Sequence, residues 1–137
     1  MGQQQLLLII LGVIIVGIAV AVGITMFQDN ALSSNRDAVQ TDLATLAVKA
    51  QEYFRKPASL GGGGNSFAGL TADSAGIEIL VSTAFAHNAN GDYSVKTAGT
   101  ATQVIFEGVG KTAIDASTFP TYDCTVTASG YNITKVH

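Results

Sequence analysis

Charge is scarce in this chain and unevenly placed. Asp, Glu, Lys and Arg make up 12% of the 137 residues, against about a quarter in an average soluble protein. Every charged side chain lies from Asp29 onward. Such a division excludes a simple cytosolic globule. Cysteine occurs once, at Cys124; a lone cysteine excludes both a disulfide framework and a cysteine-built zinc site. Tryptophan is absent and proline occurs twice. Only two histidines are present, His87 and His137, far apart in the chain. No Ser-His-Asp or Cys-His grouping has local support. The net charge of −3 comes with no basic cluster, which argues against nucleic-acid binding.

What the chain has in excess is apolar helix. Residues 6–24 hold fourteen Leu, Ile or Val and no charge. At about −0.3 to −0.6 kcal/mol each on an insertion scale, they sum to roughly −4 to −8 kcal/mol. As a helix the run is about 28 Å long, the hydrocarbon thickness of a bilayer. A secretory signal would need a basic flank and a small-residue cleavage site. The flank is instead Met1-Gly2-Gln3-Gln4-Gln5, and Ala19-Val20-Ala21 lies inside the run. The segment therefore reads as part of the working protein.

The helical pattern continues past the apolar run. Val39, Leu43, Leu46, Ala50 and Tyr53 recur at spacings of 4, 3, 4 and 3, which is one apolar stripe. Pro57 and Gly61 to Gly64 form a strong stop. The pattern predicts one helix over residues 3–55, about 80 Å long, apolar all round in its first half and amphipathic in its second. A plain membrane anchor does not need two continuous halves.

An uncharged apolar N-terminus running directly into an amphipathic helix, then a glycine-rich connection and a small β-region, resembles a type IV pilin or related pilin-like filament subunit. The resemblance implies that a prepilin peptidase removes a basic leader and that the new N-terminal residue is methylated. It also implies an assembly platform as partner, and a helical homopolymer with the apolar helices at its core. With Met1 as first mature residue, Gln5 stands where bacterial pilins usually carry Glu; cleavage after Gly2 would instead make Leu7 the fifth residue. Val22 stands where many carry a helix-kinking Pro. Leu6, Leu7, Leu8, Ile9, Ile10 and Leu11, with the small residues Gly17, Ala19, Ala21 and Gly23, are expected to pack in the filament core. Gly17 with Ala21, and Ala19 with Gly23, are small-xxx-small pairs that let helices approach closely.

Beyond the helix, residues 56–76 are rich in Gly, Ala, Ser and Thr. The four-glycine run lacks the Gly-Lys-Ser/Thr ending of a phosphate loop and follows a helix, so it reads as a helix stop and surface loop. Phe67 and Leu70 are expected to pin that loop to the helix. Residues 77–81 are either a strand or a buried turn of helix. Strands are expected at 93–96, 103–107 (extending or bulging to 111), 122–128 and 131–136, with Asn90-Gly91 as a hairpin turn. The fold class is α+β: a long helix with a small antiparallel β-sheet packed on its C-terminal half, contacting Val39, Leu43, Leu46, Ala50 and Tyr53. The division expected is 1–28 as membrane or filament-core helix, 29–56 as its amphipathic continuation, and 57–137 as loop plus head.

Other candidate sites are weak. Asn88-Ala89-Asn90-Gly91-Asp92 alternates oxygen ligands but lacks the acidic first residue and the twelfth-position Glu of a calcium loop, so a turn is the better reading. Cys124 reads as a small buried hydrophobe, and the histidines as solvated. Asn132-Ile133-Thr134 fits a glycosylation triplet. Phe27, Tyr53 and Phe54 read as packing groups rather than a conductive path. No catalytic constellation, metal site or cofactor is expected.

The function expected is a structural subunit of an extracellular type IV pilus-like filament. The subunit would pass through the cytoplasmic membrane before assembly, and the fibre would serve adhesion or motility at the cell surface. The alternatives are a pseudopilin of a type II secretion-type machine and a single-pass membrane-anchored binding domain. An archaeal adhesion pilin or archaellin is a third relative: such chains also have apolar N-termini, often with Gln near the start, but their heads are usually all-β, and the stripe past residue 30 and the mixed head argue against it.

Overall fold

The computed structural model describes residues 2–137. Its elements are α1 (Gly2–Arg55), a 3-10 turn (Ala58–Leu60), α2 (Ser74–Glu78), α3 (Thr83–Ala86), β1 (Gly91–Thr97), β2 (Gln103–Gly110), β3 (Thr121–Thr127) and β4 (Tyr131–Lys135). The chain divides into two compact units, Met1–Ser33 and Ser34–His137. The first unit is helix alone. The second contains the rest of α1 and everything that follows.

Helix α1 runs unbroken because no proline interrupts it before Pro57. The glycine-rich loop then takes up its orphan carbonyls. Gly63 N–H donates to the Tyr53 carbonyl at 2.8 Å, Asn65 N–H to that of Phe54 at 2.7 Å, and Gly64 N–H to that of Lys56 at 3.0 Å. This reversal needs left-handed backbone at Gly61 (φ 80°) and Gly64 (φ 57°), which glycine adopts without strain.

The four strands form one antiparallel sheet in sequential order, β1-β2-β3-β4. Alternation in β2 and β3 sets its two faces: Val104 and Phe106, with Tyr122, Cys124 and Val126, are buried. Phe106 pairs with Cys124 and Val104 with Val126. This face packs on the α1 stripe Val39, Leu43, Leu46, Ala47 and Ala50, all fully buried, with Tyr53 partly buried beside them. Gly108 permits the close approach: a Cβ there would lie 3.0 Å from the Tyr93 ring and 3.1 Å from Val39. Phe67 and Leu70 are fully buried, and the Phe67 ring lies 4.7 Å from that of Phe54. The loop is pinned to the helix as expected.

Three local features refine the expectations. Of the two readings of residues 77–81, the buried turn of helix holds where they begin: α2 starts at an Asp73 cap, whose carboxylate accepts from Gly76 N–H at 3.0 Å, and buries Ile77. A further short helix, α3, starts at Ser82, which accepts from Phe85 N–H at 3.3 Å. Asn90-Gly91 lies in a tight antiparallel reversal, as expected: Asn88 N–H donates to the Gly91 carbonyl at 3.2 Å and His87 bridges to Asp92, the incoming arm being the end of α3 and not a full strand. It joins α3 to β1, because the Asn88 side chain accepts from Asn90 N–H (2.8 Å) and Gly91 N–H (3.1 Å) and turns the chain into the strand.

Candidate functional site

Within the first unit the helix has no internal partner for its side chains. All fourteen Leu, Ile and Val residues of 6–24 are more than half exposed. Phe27 is 76% exposed. Gly12, Gly17 and Gly23 face open space, and Gln5, Ala19 and Ala21 are exposed. The Thr25 hydroxyl donates to the Ala21 carbonyl at 3.1 Å, so even this polar group is turned back onto its own helix. Met1 lies outside the described residues. Helix α1 is long and apolar enough to cross a membrane. The residues expected in a filament core thus form one uninterrupted apolar surface.

The second unit holds a polar cluster that joins helix to sheet. One oxygen of Asp42, Oδ2, accepts from the Tyr93 hydroxyl at 2.6 Å, the Asn88 amide at 2.9 Å and the Asn90 amide at 3.1 Å. Asn35 donates to the Asn90 carbonyl at 2.7 Å and accepts from Thr112 N–H at 3.3 Å. Burial, with the Asp42 carboxylate beside it, raises the Tyr93 phenol far above its usual range. Both asparagine amides point their NH₂ groups at Asp42, which makes this a structural anchor and does not suit a cation. Sequence reading missed the cluster. Its one local signal is an acid at position 42, directly before the buried Leu43.

Elsewhere on the second unit, Lys96 reaches across the outer sheet face to Asp123 (2.6 Å) and Glu107 (3.2 Å), and these hydrogen bonds raise its ammonium above its usual value. His87 is exposed, with Nδ1 2.9 Å from Asp92 Oδ1. That bond, aided by Lys111, lowers the Asp92 carboxyl. The pair ties α3 to β1, with Lys111 Nζ 3.6 Å from the same carboxylate oxygen. Cys124 is fully buried and its thiol is pushed up to about 12 by burial. Asn132 is exposed on the edge strand β4. No group of three or more His, Cys, Asp or Glu side chains suited to a metal occurs among the described residues.

Comparison of the chain with protein-family models, with curated proteins and with solved structures finds no match.

Proposed function

We propose that the chain is the structural subunit of a pilus-like filament, assembled through α1 and displaying the sheet-bearing unit at the cell surface. The observation that carries this reading is the apolar surface of residues 6–24, wholly uncovered in the single chain, on a helix that runs without interruption into the core of the second unit. Lipid can cover that surface before assembly. In a polymer, copies of the same helix cover it. Lipid and protein are about equally apolar, so close packing must favour the polymer, and Gly17, Ala19, Ala21 and Gly23 permit it. The resemblance to type IV pilins supports the same reading and implies a prepilin peptidase and an assembly platform as partners, with methylation of the processed N-terminus.

Electron microscopy of material sheared from the surface of cells with and without the gene tests this. Thin filaments that contain the chain and vanish with the gene are expected. Unchanged filaments, or none in either strain, would overturn it and favour a solitary anchored domain, which should keep its binding when residues 1–28 are removed.

A further inference from the structure

The two edges of the sheet are built differently. At β1, Asn88 N–H donates to the Gly91 carbonyl at 3.2 Å, His87 bridges to Asp92, and the register shifts between Val95 and Thr97. A covered start and a bulge close that edge to further pairing. Strand β4 has neither device. It pairs in unbroken register with β3 on one side and with no strand on the other among the described residues. Thr127 N–H donates to the Gly130 carbonyl and Val136 N–H to that of Thr121, each at 2.8 Å. The antiparallel alternation set by these two bonds directs the N–H and C=O of Tyr131, Ile133 and Lys135 outward from the edge. None of the five β4 residues is buried.

The same strand holds the chain's one Asn-x-Ser/Thr triplet, Asn132-Ile133-Thr134. Asn132 stands opposite Thr125, and Thr134 opposite Asp123. Both side chains therefore lie on the outer sheet face, away from the buried Val126 and Cys124. Asn35, Asn88 and Asn90 use their amides inside the second unit. Asn132 is exposed, and its amide makes no hydrogen bond among the described residues. We propose that Asn132 is an N-glycosylation site, taking a sugar from a polyprenyl-diphosphate-linked donor, and that the attached glycan screens the open β4 edge. Asn132 Nδ2 displaces the phosphate oxygen at C1 of the sugar. The C1–N bond forms, the C1–O bond breaks, the lipid diphosphate leaves, and the amide proton passes to a basic group of the transferase. Two properties of β4 suit it to this role. A strand of five residues, bonded along one side only, opens locally at small cost, which makes the triplet reachable. A glycan is bulky and solubilising, and Asn132 is flanked by two of the outward-directed backbone positions, Tyr131 and Ile133. Attachment requires only that the second unit be exported, with or without assembly into a filament.

Mass spectrometry of the full chain from its native cells tests the site. Trypsin cuts after Lys111 and Lys135, so the peptide of residues 112–135 reports on it. That peptide is expected to carry added sugar mass, lost in Asn132→Gln and in Thr134→Ala and kept in Thr134→Ser. The screening role is read from the detergent-solubilised chain: Asn132→Gln, with its melting temperature unchanged, is expected to scatter severalfold more light on standing than wild type, as uncovered edges pair. An unmodified peptide from wild type, or the same sugar mass in Asn132→Gln, would overturn the site. Equal scattering by the two proteins would overturn the screening. None of these results bears on the filament reading, which fails only if the fibres do not depend on the gene.

Discussion

The Tyr93 hydroxyl donates a 2.6 Å hydrogen bond to Asp42 Oδ2, across 51 residues of sequence. The phenol comes from β1 and the carboxylate from α1, so this bond fixes the first strand to the helix. A hydrogen bond to a charged group contributes about 1.5–3 kcal/mol. Tyr93→Phe should therefore destabilise the second unit by about 2 kcal/mol. Asp42→Ala should cost more, since it strands three donors. Urea denaturation of the full chain in detergent, followed by a signal from the sheet, measures both.

Alanine at position 108 is expected to be destabilising. A Cβ would press on the Tyr93 ring and on Val39, and overpacking of this kind costs about 1–3 kcal/mol. Gly130, where a Cβ meets nothing within 4 Å, serves as the control. Thermal unfolding should show a clear loss for Gly108→Ala and little change for Gly130→Ala.

Stability should hold between two pH limits. The Asp92, Asp73 and Asp115 carboxyls are lowered by their hydrogen bonds from the usual 3.8. Their contribution is present above that value and lost as pH falls below it. Tyr93 and Lys96 are raised from the usual 10.0 and 10.5. Their contribution is present below those values and lost as pH rises beyond them. Melting temperature against pH should show a plateau from about pH 4 to 10, with both limbs falling. Tyr93→Phe should flatten the alkaline limb and leave the acid limb in place.

Cys124 should be silent in the native protein. Its thiol is buried, shifted up to about 12 and 4.0 Å from the Leu43 carbonyl. Thiolate is the reactive form, so maleimide labelling at pH 7 should be negligible in buffer and complete in denaturant. Rapid labelling of folded chain would contradict the packing of β3 on α1.

Membrane retention can be titrated with charge. One Lys at the centre of a spanning helix costs about 2.5–3.5 kcal/mol, against roughly −4 to −8 kcal/mol from the apolar run. Ile14→Lys alone should leave the chain in the membrane fraction. Ile14→Lys with Ile18→Lys should release much of it on alkaline extraction.

The fold was legible wherever a period repeated often enough. The stripe from Val39 to Tyr53 and the stop at Pro57 predicted α1 within a residue of its limits, and the alternating strands located β1 to β4 within a few. Alanine is a weak hydrophobic signal, so Ala47 was missed although it is fully buried. Helices α2 and α3, of five and four residues, are too short for a period to register and are defined by the Asp73 and Ser82 caps. Asn90-Gly91 carried a turn signal that the structure keeps, with the Asn88 side chain holding the reversal between α3 and β1. The Asp42 cluster joins residues 46 to 51 positions apart, a separation that no local pattern encodes. The uncovered surface of residues 6–24 was plain in the composition alone.

The sequential order of the sheet also sets a timetable for synthesis. Every strand pairs with its neighbour in sequence, so the hairpins can form quickly once their residues emerge. Their partner α1 emerges first, at the opposite end of the chain. Val39, Leu43 and Leu46 wait through roughly eighty further residues before Tyr122, Cys124 and Val126 of β3 arrive to cover them, several seconds at about 5–20 residues per second. For that interval the nascent chain carries a second exposed apolar stripe in addition to the run of residues 6–24.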